Sequence, residues 1–313
     1  MNSRRIFLQR SALAAGALVL PAGLIPFGCA SKSIPLKISL AQWSLHRALE
    51  KGQVKADDFP FIAKNNYDIN AVEYVNGFYK EKATDETYWQ DLSRRCSAEG
   101  IKSLLIMVDD EGHLGDPNPD ARTSAVEKHY KWVHAAKLLG CHSIRVNAFG
   151  SGSKEDIREA LVDGMGKLAE YGEKEGINIL IENHGLQSSD AGYITNIIQE
   201  VDNPYLGTLP DFGNWCLNKE WGSTSNNSCT EVYDSYEGVA QFLPYAKGVS
   251  AKSYDFDIDG NETIIDYNGL LQLVKNHGYE GYIGIEYEGS RLSESEGIKA
   301  TKELLERTWN SLD

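Results

Sequence analysis

Eight times along this chain a short apolar run gives way to a charged, amphipathic stretch of helical length, and that repetition restricts the fold more than any other feature. The runs fall at residues 36–42, 71–75, 101–108, 143–147, 177–182, 205–211, 248–252 and 282–286. Between them, residues 130–139 set Trp132, Val133, Ala136 and Leu139 on one helical stripe, and 154–174 does the same with Ile157, Leu161, Met165 and Leu168. Four runs are preceded by a glycine, at Gly100, Gly140, Gly176 and Gly278. Glycine there supplies the left-handed residue that ends a helix before the chain turns into the next strand. Strands alternating with helices in this way are parallel and joined by crossovers. Eight such units in about 280 residues predict an α/β fold, a single (β/α)8 TIM barrel over residues 36–313. An open doubly wound sheet would carry a glycine-rich phosphate loop after its first strand. Here the first run continues into Trp43-Ser44-Leu45-His46, which is no such loop.

The barrel is preceded by a segment of another kind. Arg4 and Arg5 introduce residues 11–28, which are almost wholly apolar or small. That pattern reads as an export signal of the twin-arginine type over residues 1–28. Cys29, followed by Ala-Ser-Lys-Ser, is a candidate lipid-attachment cysteine, with 29–35 as a linker. Pro21, Gly23 and Pro26 interrupt the apolar stretch and argue against a transmembrane helix. The expectation is an exported protein, periplasmic or lipid-anchored at the cell envelope.

Charge narrows the partners. The formal net charge is −14, and loss of the three arginines in residues 1–28 would leave the barrel near −17. So acidic a chain lacks the basic face that nucleic acid or an anionic membrane requires. In an oxidising compartment Cys216 and Cys229, which share one polar segment, are the pair expected to form a disulfide.

Barrel enzymes place their chemistry where strands run out into the following loops. Read in order, those positions offer Gln42 and Trp43, Glu73, Asp109 and Asp110, Asn147, Glu182 with His184, Asp211 with Asn214, Ser250 with Lys252, and Glu286 with Glu288. Glu182, Asp211 and Glu286 each follow a buried-looking run. Converging on one rim they would repel strongly, so a cation or shared protons must neutralise them. One divalent metal, Mn²⁺, Mg²⁺ or Zn²⁺, does so most simply. Salt bridges to Arg or Lys around the rim are the alternative. Residues 215–233, long, polar and carrying Trp215, Trp221 and Tyr233, read as a lid over the rim or as an oligomer contact.

Four segments together resemble the xylose isomerase-like barrel superfamily, especially its sugar phosphate isomerase/epimerase branch. They are Ile179-Leu180-Ile181-Glu182-Asn183-His184-Gly185, Leu209-Pro210-Asp211-Phe212-Gly213-Asn214, Gly248-Val249-Ser250-Ala251-Lys252 and Ile283-Gly284-Ile285-Glu286-Tyr287-Glu288-Gly289. The resemblance implies a divalent metal held by Glu182, Asp211 and Glu286. The family's fourth ligand, a histidine two residues before the seventh-strand lysine, is Ser250 here, and a histidine usual three residues after the aspartate is Asn214. The resemblance further implies proton abstraction next to a carbonyl, through an enediolate, in a sugar or keto-sugar. Glu182 and Glu286 are then acid/base candidates, with His184 and Lys252 as alternatives or oxyanion stabilisers. Glu73, Asn147, Asn214, Trp215 and Glu288 complete the rim as candidates for binding the carbohydrate. Elimination or hydration on an oxidised (3-keto) glycoside is the runner-up. A non-catalytic sugar-binding barrel is a third reading, and a homo-oligomer is consistent with all three.

Overall fold

The computed structural model describes residues 34–225 and 228–312. The export-signal and lipid-attachment readings of residues 1–29 lie outside them. Eight parallel strands appear where the apolar runs place them: β1 (Ile38–Ala41), β2 (Ala71–Val75), β3 (Lys102–Met107), β4 (Ser143–Val146), β5 (Asn178–Glu182), β6 (Leu206–Leu209), β7 (Val249–Ser253) and β8 (Ile283–Tyr287). Ladders run without a break in the order β6-β5-β4-β3-β2-β1-β8-β7. The seam between β6 and β7 is closed by two parallel bridges, Thr208 to Ala246 and Asp211 to Ser250. Around it Lys247 N–H donates to Thr208 O at 3.0 Å and Phe212 N–H to Ser250 O at 3.0 Å. β6 stops at Leu209 rather than at the predicted 211. Pro210 has no N–H to give a ladder, and the chain bends there.

Crossover helices enclose the strands. The longest are α4 (Pro119–Leu139), α5 (Lys154–Glu175) and α9 (Glu294–Ser311), preceded by the short α1 (His46–Glu50), α2 (Phe59–Tyr67) and α3 (Glu86–Ala98); α6 (Ala191–Val201), α7 (Ser235–Phe242) and α8 (Tyr267–His277) lie between α5 and α9. Ser153 and Ser293 open α5 and α9 with full capping boxes. Gly140, Gly176 and Gly278 close α4, α5 and α8 at φ +84°, +74° and +80°. The main apolar core lies between strands and helices, with Trp89, Trp132, Ile144 and Ile179 fully buried within it.

A smaller cluster of Ala41, Val75, Leu105, Met107, Leu180 and Leu209 fills part of the barrel interior. The rest of that interior is polar: Ser39, Glu73, Arg145, Glu182, Ser250, Lys252 and Glu286 are all buried. A charged interior is costly unless it is paired or holds a ligand.

Candidate active site

The strand ends bring three of the predicted acids together. Glu182 ends β5, Asp211 follows β6 across Pro210, and Glu286 lies next to the end of β8. All three are buried, and oxygens from the three lie within 4.8 Å of one another. The β7 residues lie between them. Ser250 Oγ donates to Asp211 Oδ2 at 2.5 Å and sits 3.2 Å from Glu286 Oε2. Lys252 Nζ donates to Glu286 Oε1 at 2.9 Å and Glu288 Oε1 at 3.1 Å.

Burial pushes the Glu182 carboxyl well above its ordinary value, with Glu286 and Asp211 adding to the rise against Arg145. Burial likewise raises Asp211 to about 7, against the pull of Lys252. For Lys252, burial works against the charge, yet Asp211, Glu286 and Glu288 hold its ammonium well above the usual lysine value. Both salt bridges and mutual repulsion are therefore present.

Arg145 is the residue that reading strand ends missed. It projects inward from β4, 4% exposed, with Nη1 2.6 Å from Asp109 Oδ1 and Nε 2.7 Å from Glu182 Oε2. The only cue was an arginine within the apolar run Ser-Ile-Arg-Val. Asp109 also accepts from Asn147 Nδ2 at 2.6 Å. That bond makes Asn147 Oδ1 the acceptor for His184 Nδ1, 2.7 Å away. Nδ1 of His184 therefore carries the proton and Nε2 keeps a free lone pair. Burial first, and Arg145 second, keep the ring neutral by lowering its pKa well below the usual value.

Above these groups is a cavity of about 440 Å³, lined by Trp43, Asp109, Arg145, His184, Trp221, Glu286 and Glu288 among others. Asn147 stands behind His184 rather than on this cavity, and Asn214 reaches Glu182 Oε1 with Nδ2 at 3.3 Å. Two expectations are corrected. Trp215 is 1% exposed and packs on Gly238, Tyr233 and Phe242 beneath the 215–233 segment, so that Trp221 stands at the mouth instead. Glu73 is not on the rim either: β2 continues to Val75, leaving Glu73 inside the barrel, where it accepts from Ser39 Oγ at 2.6 Å. It fits there because Gly284 has no side chain; a Cβ at that position would lie 2.7 Å from Glu73 Oε1. Disulfide-bonded Cys216 and Cys229 pair as expected.

Burial, and then the nearby Glu286, raise Glu73 to about 7. A carboxyl raised in the folded state stabilises it at low pH, and that contribution is lost as pH climbs from the ordinary value through about 7. Glu73→Gln is therefore expected to stabilise metal-free protein at pH 8 by up to about 3 kcal/mol and to change little at pH 4. Urea unfolding at the two pH values reads the difference directly.

The donor set suits a divalent cation. Among the described residues, six carboxylates (Glu73, Asp109, Glu182, Asp211, Glu286 and Glu288) have Arg145 and Lys252 as the formal cations around them. Glu182 Oε2 and Asn214 Oδ1 are buried without a hydrogen-bond partner, because the Arg145 Nε–H is close to Glu182 but not aimed at it. Buried acceptors of this kind call for a ligand.

The barrel with its carboxylate-lined pocket defines a class, and residues 61–308 match the family model for the xylose isomerase-like TIM barrel. The chain belongs to that family. It is 23% identical over 218 residues to a Mus musculus protein named "Putative hydroxypyruvate isomerase", an alignment covering 63% of this chain and 74% of that one. Among solved structures it is similar to a D-tagatose 3-epimerase-like protein, with a TM-score of 0.63 at 20% identity over 87% of this chain and 98% of the other. It is also similar to the IOLI protein with a bound zinc atom, with a TM-score of 0.67 at 14% identity over 89% and 99%. The zinc-bearing neighbour and the buried acidic trio together suggest a divalent metal site here.

Proposed function

We propose that this chain is a metal-dependent isomerase or epimerase of a neutral sugar or keto-sugar, working at the cell envelope after export. The observation that carries the reading is the buried trio of Glu182, Asp211 and Glu286, of which Glu286 lines the cavity. Glu182, Asp211 and Glu286 would hold the metal, with Asn214 Oδ1 in reserve and Ser250 positioning Asp211 rather than replacing the family's histidine. An all-oxygen set favours Mg²⁺ or Mn²⁺ over Zn²⁺. The cation would supply Lewis-acid polarisation of a carbonyl and offset charge on its oxygen.

The chain's own groups supply the proton transfers. Glu286, ion-paired to Lys252, is suited to take the proton from the carbon beside the carbonyl. Glu182, across the trio from Glu286, is suited to return one to the other face or to the neighbouring carbon. Arg145 and Lys252 place positive charge beside the developing enediolate, and His184 Nε2 offers an acceptor to a substrate hydroxyl.

Proton NMR in D₂O tests this with D-fructose, D-tagatose, D-psicose and hydroxypyruvate, using Mn²⁺- or Mg²⁺-loaded protein and a chelated control. Deuterium is expected beside the carbonyl of at least one compound, only with metal. Saturable sugar binding with no exchange in any of them would point instead to a sugar-binding barrel.

A further inference from the structure

We infer that the mouth of the cavity holds a second-ring subsite walled by Trp43 and Trp221, making the substrate a glycoside rather than a single sugar. The reacting ring would lie on the carboxylates and its neighbour between the two indoles. Only the assignment of the reacting ring rests on the enediolate reading; the subsite rests on the mouth itself.

Both tryptophans line the cavity. Trp43 leaves the end of β1 and Trp221 belongs to the segment after β6, and those strands are three places apart in the ring of eight. Trp43 is half-buried and backed by His46, ring centroids 4.6 Å apart and 13° from parallel. Trp221 meets His184 and Phe149 edge-on at 5.0 and 5.7 Å and remains 46% exposed. An indole left open beside polar groups suits the apolar face of a sugar ring.

The strap that presents Trp221 is built at some energetic cost. Trp221 has φ +65°, a left-handed conformation that bulky residues rarely adopt. It is held there from both sides. Leu186 N–H donates to Lys219 O at 3.0 Å, Cys216 N–H donates to Gly222 O at 3.0 Å, and the Cys216–Cys229 disulfide closes the loop. Gly185 permits the approach, since a Cβ there would lie 2.1 Å from Lys219 O. Beyond the indole, Thr224 N–H anchors to Gly213 O at 3.0 Å and Ser223 Oγ to the Tyr254 hydroxyl at 2.9 Å.

Size and charge identify the occupant. At about 440 Å³ the cavity lies in the range that engulfs drug-sized ligands and exceeds the needs of one hexose. Asp109, Asp110, Glu286 and Glu288 line it against a single formal cation, Arg145, and disfavour an anionic extension such as a phosphate. A neutral second ring fits.

Calorimetry on the whole protein with D-glucose, cellobiose and maltose tests the subsite. At least one disaccharide is expected to bind about tenfold or more tightly than glucose. Trp221→Ala and Trp43→Ala should each bring that ratio close to one, and Trp221→Phe should keep part of it. Equal affinity for one and two rings in the parent, including no measurable binding of either, overturns the proposal. So does a loss in Trp221→Ala that is the same for both. The enediolate reading fails separately, through absent deuterium exchange in the parent protein, and leaves the ratio unaffected.

Discussion

The Glu182→Gln, Asp211→Asn double variant is expected to retain the fold, lose its divalent metal and turn over at least about a thousandfold more slowly. Each substitution removes a negative oxygen but preserves shape, and two of the three converging carboxylates disappear. Because burial already disfavours both charges, the metal-free variant should melt no lower than the parent stripped of metal. Elemental analysis of protein prepared without chelator checks the first claim, with about one equivalent expected in the parent and none in the variant. A parent that takes up no Mn²⁺, Mg²⁺ or Zn²⁺ would remove the metal from the mechanism and leave His184, Lys252 and Arg145 to carry the chemistry.

Arg145→Leu is expected to have the largest effect on stability, about 3–5 kcal/mol at neutral pH. The guanidinium is almost wholly enclosed and lies within 3 Å of two carboxylates, Glu182 at the end of β5 and Asp109 just beyond β3. Leucine would leave Glu182 buried, and Asp109 half-buried at the cavity wall, each without its counter-ion. Asp109, whose pKa burial raises but Arg145 more than restores to below normal, would change most. Adding Asp109→Asn should recover a substantial part of the loss, since the amide needs no counter-ion. Chemical denaturation of the two variants decides the matter: an Arg145→Leu protein as stable as the parent would mean the pair contributes nothing.

The fold was legible because the strands are buried almost throughout and each helix from α2 onward buries one face, so the two patterns alternate from residue 36 onward. Gly140, Gly176 and Gly278 marked the returns with a conformation few other residues adopt. The carboxylates were legible for a related reason: an acid directly after an apolar run has little choice but to sit at the rim. Glu73 escaped because it lies within its run, and only ring closure with Gly284 opposite shows that it points inward. Arg145 escaped because a lone arginine on a strand reads as a solvent-facing residue until eight strands enclose it. The 215–233 segment has no period, so nothing in its composition distinguished buried Trp215 from exposed Trp221. Backbone dihedrals and the Gly185 contact make that distinction, and neither is written in residue types alone.

The seam between β6 and β7 places a mechanical role on the same groups. Glu182 on β5 and Asp211 after β6 lie on one side of the seam, and Ser250 and Lys252 on β7 and Glu286 on β8 on the other, with two bridges across it. Anything that binds both sides acts as a clasp on the barrel. Its affinity and the closing of the cylinder become one linked equilibrium, so ligand occupancy should be felt first in the exchange of the Phe212 and Ser250 amides.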